Sequence, residues 1–287
     1  MKPKSIGVIA LVLAGLFASG AFSRADRPLP HETMNAALWM QTAAEYRMVA
    51  TQAFQLAALR LESALRETSW TAAPEQTGGY RDLPAAAIFD LDETVIDNAP
   101  FQAQLVLDDA TFDGKSWGRW VRKEKASEIP GAAAFLRLLQ DRGVRIFYVT
   151  NRDTAGDAAT AANLRALGYP LDDDAGNLLS KHKQDGWGSD KTTRRAHVAK
   201  THRILFLFGD DLNDFVTGAR GPGVTVAARN GRAEAFREYW GTRWFVLPNP
   251  AYGSWERILY DFQYDLSRSE KLRLKRGQLV GYRPASR

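Results

Sequence analysis

The chain has 287 residues, 45% of them apolar, and a formal net charge of +5. That apolar content is ample for one large core or two small ones. Cysteine is absent, which excludes structural disulfides and any lipid anchor attached through a cysteine. Residues 1–23 carry Lys2 and Lys4, an apolar stretch from Ile6 to Phe17, and small residues at Ala21 and Ser23. This is the pattern of a cleaved secretory signal, with processing after Ser23 or Ala25. The apolar run falls short of the ~20 residues that a membrane span requires. A periplasmic or secreted protein without a stable membrane anchor is therefore expected.

Residues 24–84 form an expected N-terminal helical segment and linker. Positions 32–68 are rich in Ala, Leu and Gln and lack Gly and Pro, which predicts one long helix or two shorter ones, appended to an enzyme domain. Pro74, Gly78, Gly79 and Pro84 then mark a linker over 71–84. Residues 85–98 read Ala-Ala-Ala-Ile-Phe-Asp-Leu-Asp-Glu-Thr-Val-Ile-Asp-Asn, a buried strand that ends in carboxylates spaced i, i+2. Residues 98–128 are inserted before the next strand as a small cap. Pro130 and Gly131 open a helix over 132–142. Two further apolar runs, 144–149 and 204–208, end in Thr150-Asn151-Arg152 and in Gly209-Asp210-Asp211-Leu212-Asn213-Asp214. Near-continuous apolar runs separated by helical stretches predict an α/β fold with a parallel sheet covered on both faces. The core domain is expected over 85–266. Residues 267–287 hold seven Lys or Arg against one Glu, which predicts a solvated basic tail with no nucleic-acid role.

Alternate side chains of an extended chain share a face, so Asp90 and Asp92 can address one point. Two such carboxylates repel unless a cation separates them or one keeps a proton. A hard divalent ion such as Mg²⁺ suits carboxylate and carbonyl oxygens and commonly bridges to phosphate. In open parallel sheets ligands bind beyond the carboxyl ends of the strands, so the three polar clusters are expected to converge. His31, His182, His197 and His202 show no metal-ligand spacing.

Trp39 to Tyr46, Phe89 to Asn98, Phe112-Asp113-Gly114-Lys115-Ser116-Trp117-Gly118-Arg119-Trp120-Val121, Phe147 to Arg152, Gly209 to Phe215, and Leu247 to Trp255 together resemble one family. It is the haloacid dehalogenase superfamily, and within it the class C acid phosphatases that include lipoprotein 5′-nucleotidases. The likeness covers roughly residues 35–260. It implies a Rossmann-like parallel sheet with helices on both faces, a small, mainly helical cap and N-terminal helices. It also implies a Mg²⁺-dependent acid phosphatase acting on phosphomonoesters, nucleoside 5′-monophosphates first among them, and a homodimer. Asp90 would be the nucleophile and Asp92 the general acid and base. The metal would be held by Asp90, the Asp92 carbonyl and Asp210, with Asp214 on a water ligand or just behind. Asp211 reads as a helix-start residue.

Thr150 would bind a phosphoryl oxygen, with Asn151 beside it. A cation is also needed against the developing charge. Lys191 fits by local spelling and Arg194 by alignment with the family lysine, and both remain candidates. Trp117 and Tyr252 occupy the positions that sandwich a nucleobase in the resembling enzymes; Phe101 could line the same pocket, while Trp120 and Trp255 are expected to pack the cap. The alternative reading is a non-catalytic secreted protein that binds nucleotides or haem on the same fold. Retention of Asp90, Asp92 and Asp210 speaks against it.

Overall fold

The computed structural model describes residues 31–282. The expected leader and the last five residues of the basic tail lie outside them. Helix α1 (Met34–Thr42) and helix α2 (Ala44–Arg66) share the N-terminal helical segment, with extended Ala43 between them. On α2 the buried residues Tyr46, Ala50, Phe54, Ala57, Leu61 and Ala64 recur every three or four positions, a single apolar stripe. That stripe lies on the sheet: Phe54 stacks on Phe208 with ring centroids 5.3 Å apart and planes 12° apart. The segment was expected as an appendage; it instead completes the core. The linker after it is tied down as well. Trp70 Nε1 donates to the Leu205 carbonyl at 2.8 Å, and Trp244 Nε1 donates to the Ala72 carbonyl at 2.7 Å.

Strand β1 (Ala85–Phe89) is followed by the cap. The cap comprises β2 (Ile96–Asp97), α3 (Ala99–Leu107), α4 (Gly114–Val121) and β3 (Ser127–Glu128). β2 and β3 pair antiparallel at its base. The chain then runs through α5 (Ala132–Asp141), β4 (Arg145–Asp153), α6 (Asp157–Ala166), β5 (Leu178–Lys181), α7 (Thr192–Ala199) and β6 (Arg203–Gly209). It ends with α8 (Val226–Ala235), β7 (Trp244–Val246), the short α9 (Ser254–Arg257) and α10 (Arg268–Gly277). Gly131 precedes α5 at φ 96°, and a Cβ there would press on the Phe54 ring. Glycine meets both demands at once.

The main sheet has the order β5-β4-β1-β6-β7, every pairing parallel. Alternation along β1 divides the core in two. Ala87 and Phe89 join Phe54, Phe135 and Phe208 on one face; Ala86 and Ile88 join Val198, Phe215 and Trp244 on the other. Helices therefore cover both faces, as the apolar strands predicted. Strands are added first on one side of β1 and then on the other, so the strand order reverses beside β1. Such a reversal opens a crevice at the carboxyl ends of the strands.

The basic tail departs from expectation. Its first part folds as α10, started by a reciprocal cap in which Ser267 Oγ accepts from the Glu270 amide and Glu270 accepts from the Ser267 amide. Lys275 anchors it to Glu32 at 2.7 Å and to Glu256.

Candidate active site

Register brings the three polar clusters together. Phe89 of β1 lies opposite Tyr148 of β4 and Phe208 of β6, so the residues just beyond them share one edge of the sheet. Asp90 follows directly, its amide donating to the Phe208 carbonyl at 2.9 Å. β4 does not stop at 149. It runs on to Asp153, so Thr150, Asn151 and Arg152 are strand residues rather than a loop.

Lys191 stands just before the first turn of α7, where Asp190 Oδ1 accepts from the Thr192 amide at 2.8 Å. This turn aims the nearly buried lysine into the crevice. Its Nζ lies 2.5 Å from Asp90 Oδ1 and 2.6 Å from Asp214 Oδ1. Burial opposes the charge on Lys191, but the Asp214 and Asp90 carboxylates outweigh it and hold its pKa above the ordinary value. Burial pushes Asp90 up to about 7, against the pull of Lys191 and helped by the neighbouring Asp214 and Asp92. Burial, with Asp214 and Asp90 close by, raises Asp210 well above the usual carboxylate range.

The turn after β6 supplies two of these groups. Asp211 caps a single 3-10 turn, Leu212–Asp214, by accepting from the Asn213 amide at 2.9 Å. Asp214 answers by accepting from the Asp211 amide at 2.9 Å. Asp211 is thus a capping residue, as its position suggested. Burial would raise its pKa, but Arg229 and the amides of Asn213 and Ser254 bring it below the ordinary value. Asp214 folds back so closely over Gly209 that a methyl there would overlap its carboxyl group. Asp90, Asp210 and Asp214 offer oxygens within 4.8 Å of one another, an all-oxygen donor set suited to a hard divalent ion.

The two candidate cations are placed differently. Arg194 is fully buried, and its guanidinium is spent on the fold. It donates to the Thr150 carbonyl, to Asn151 Oδ1 at 2.6 Å, to the Gly188 carbonyl at 2.9 Å and to the Leu179 carbonyl at 3.4 Å. Both terminal nitrogens of Arg194 are thus matched to acceptors and its buried Nε has no partner, whereas Lys191 is the candidate whose charge contacts Asp90 directly. Asn151 is also engaged, its Nδ2 donating to the Ser189 carbonyl at 3.1 Å. Its side chain thus links Arg194 to the Ser189 loop. Thr150 is fully buried, and its hydroxyl accepts from the Arg152 amide at 3.1 Å.

The aromatic residues gather in two places. Trp117 packs edge-on against Phe101, with centroids 5.1 Å apart, and beside the exposed Phe112 at 6.3 Å. Tyr252 donates its hydroxyl to Glu93. Trp120 is held within the cap, donating from Nε1 to Asn98 Oδ1 at 2.7 Å. Trp255 is instead 40% exposed in α9, its Nε1 donating to the Tyr252 carbonyl at 3.1 Å.

Sequence reasoning passed over several residues. Asn249 donates to Asp210 Oδ2 at 2.7 Å and accepts from the Tyr252 amide at 3.3 Å. Arg195 joins Glu75 of the linker at 2.7 Å to the Asp214 carbonyl at 3.0 Å. Arg152, Glu93 and Asn98 surround Asp92. The only available signal was proximity, since Glu93 and Asn98 lie within nine residues of the end of β1 and Arg152 lies at the end of β4.

Comparisons with known proteins agree with this geometry. Residues 21–255 match the model of the HAD superfamily, subfamily IIIB (acid phosphatase). The crystal structure of a class C acid phosphatase from Bacillus anthracis with tungstate bound superposes with a TM-score of 0.76. It is 33% identical and covers 89% of this chain and 99% of its own. Acid phosphatase 1 of Solanum lycopersicum is 27% identical over 173 residues, 58% of this chain and 57% of its own length. The stem 28 kDa glycoprotein of Glycine max is 26% identical over 170 residues, 58% of each chain. The chain thus spans somewhat more than half the length of these curated relatives. With the sheet order, the acidic cluster and a family match over most of its length, the chain belongs to the acid phosphatase subfamily IIIB of the HAD superfamily.

Proposed function

We propose that the protein is an exported, Mg²⁺-dependent acid phosphatase that hydrolyses phosphomonoesters, nucleoside 5′-monophosphates by preference, through a phosphorylated Asp90. One observation carries the reading: Asp90 sits at the strand-order reversal with its carboxylate 2.5 Å from a buried lysine. The fit to a metal rests on the donor set. Buried carboxylates with raised pKa values crowd one another there, and a hard dication relieves that repulsion. Asp90, the Asp92 carbonyl and Asp210 would hold it, with Asp214 behind them. Bound Mg²⁺ would supply positive charge against the phosphoryl oxygens.

The chain's own groups carry the proton and phosphoryl movements. An Asp90 oxygen attacks phosphorus as the bond to the leaving oxygen breaks, and Asp92 gives that oxygen a proton. Water then attacks phosphorus, the Asp90–phosphorus bond breaks, and Asp92 takes back a proton. Lys191 balances the charge that builds on the phosphoryl group, and the Thr150 hydroxyl and amide hydrogen-bond one of its oxygens. Trp117 and Tyr252 would hold the base by stacking, worth about 1–3 kcal/mol, and small aryl phosphates would also be accepted. The tungstate in the B. anthracis relative, a tetrahedral oxyanion, supports a phosphate-shaped site. Export is consistent with the absence, among the described residues, of any helix long and apolar enough to cross a membrane.

The test is hydrolysis of p-nitrophenyl phosphate and AMP between about pH 5 and 7, where a raised-pKa carboxylic acid is partly protonated. EDTA should abolish turnover and Mg²⁺ restore it, while Asp90→Asn stays inactive under both conditions. Equal rates for wild type, EDTA-treated protein and Asp90→Asn would rule the reading out.

A further inference from the structure

The carboxyl group of Asp92 is held asymmetrically. Its Oδ1 receives three donors: Arg152 Nη2 at 2.7 Å, Asn98 Nδ2 at 2.9 Å and Arg152 Nε at 3.1 Å. Its Oδ2 receives only a shared contact from Arg152 Nε at 3.2 Å. A carboxylate oxygen with three donors has no room to carry a proton or give one away. Oδ2 is left as the oxygen that can exchange a proton with a substrate.

The two residues that impose this asymmetry are themselves fixed. Arg152 is 4% exposed, and its Nη1 donates to Thr160 Oγ1 at 3.0 Å. Asn98 is fully buried. Its amide donates to Glu93 Oε1 at 2.9 Å, and its Oδ1 accepts from Trp120 Nε1 at 2.7 Å. The same pair connects Asp92 to both aromatic groups of the pocket. The Arg152 guanidinium lies over the Trp117 ring, 5.3 Å from its centroid. The Asn98 amide donates to Glu93, which accepts the Tyr252 hydroxyl. A charged fork and a buried amide converging on one carboxylate oxygen are strong, directional contacts.

We propose that Asn98 and Arg152 are positioning residues that anchor Asp92 through Oδ1 and aim Oδ2 at the leaving-group oxygen, so that leaving-group protonation depends on them. This rests on Asp92 acting as the general acid in the proposed reaction. In that step the Oδ2–H proton moves to the leaving oxygen as its bond to phosphorus breaks, and Asp92 is left as a carboxylate with Oδ1 still anchored. In the hydrolytic step Oδ2 recovers a proton from the attacking water.

The experiment compares kcat/KM for p-nitrophenyl phosphate, whose leaving group needs no proton, with kcat/KM for AMP, whose alkoxide does. Full-length wild type, Asp92→Asn, Asn98→Ala, Arg152→Ala and Arg152→Lys are assayed with Mg²⁺, and circular dichroism verifies folding. Asp92→Asn should lose about 100-fold more on AMP than on the aryl ester, the size expected of general-acid catalysis. Asn98→Ala and Arg152→Ala should lose about 10-fold or more in the same selective way, a tenth of the full effect or greater. Arg152→Lys, which keeps the buried charge but only one donor direction, should fall between wild type and Arg152→Ala. A merely structural role predicts equal losses on both esters. A selective loss on AMP that spares glycerol phosphate, an alkyl ester with no base to stack, would trace to the Trp117 contact and overturn the positioning role. Selectivity in Asp92→Asn with equal losses in the folded Asn98 and Arg152 variants overturns the positioning role alone. No selectivity in Asp92→Asn overturns the acid–base assignment beneath it.

Discussion

Lys191 and Arg194 lie three residues apart at the start of α7, yet they meet different demands. The lysine reaches two carboxylates in the crevice, whereas the arginine satisfies backbone carbonyls. Their substitutions should therefore separate activity from stability. Lys191→Ala removes the positive charge beside Asp90 that the proposed reaction uses and should lower kcat by about 10²–10³-fold, the usual cost of one electrostatic donor. Arg194→Ala leaves the buried Thr150 carbonyl and the part-buried Gly188 carbonyl without the Arg194 donors and should cost about 3 kcal/mol of stability. Urea denaturation alongside steady-state kinetics measures both. A stable but inactive Arg194→Ala would contradict this division.

At the level of elements, α2 is the clearest case of a segment whose importance lies in packing. Phe54 stacks on Phe208 and touches Phe135, in a cluster that includes Phe89 at the end of β1. Phe208 immediately precedes Gly209 and the acidic turn, so this cluster supports the strand ends that carry Asp90 and Asp210. Phe54→Ala should cost about 3–5 kcal/mol, the range for emptying a buried aromatic site. Thermal unfolding measures it, and a loss under about 1 kcal/mol would mean that α2 is dispensable to the core. The longer β4 matters for a similar reason. By continuing through Arg152 it carries that guanidinium to Asp92, which a turn at residue 150 would not.

For the whole molecule, the crowded carboxylates predict how stability responds to pH and metal. Without metal, Asp90 has its pKa raised to about 7, and Asp210 and Glu93 are raised well above their ordinary values. The folded chain then binds more protons than the unfolded chain across the range from about pH 4 to 7, so these groups lose stability as pH rises through it. A dication requires the deprotonated ligands, so its stabilisation grows over the same range. The increase in Tm on replacing EDTA with Mg²⁺ should be small near pH 4.5 and several degrees near pH 7.5. Taking the difference cancels carboxylates such as Asp211, whose lowered pKa gives the opposite slope. A Tm gain independent of pH would place the metal away from these groups.

The amino-acid sequence alone determined the three inner strands β1, β4 and β6, the parallel α/β class and the acidic strings at the strand ends, because periodicity and apolar runs are local properties; the outer strands β5 and β7 were not read from it. From these, Asp90, Asp210 and Asp214 were legible as neighbours, and they do converge. The choice between Lys191 and Arg194 was not legible. Both sit at the head of one helix, and only the direction each side chain takes against β4, β5 and β6 separates them. Arg152 pairs with Asp92 across 60 positions, and Tyr252 meets Glu93 across 159. The basic residues of 267–287 looked like a solvated tail until α10 brought Lys275 to Glu32, 243 positions away. Pairings of this kind depend on how helices and strands pack in three dimensions, and no short-range pattern encodes that, so only the tertiary structure could decide them.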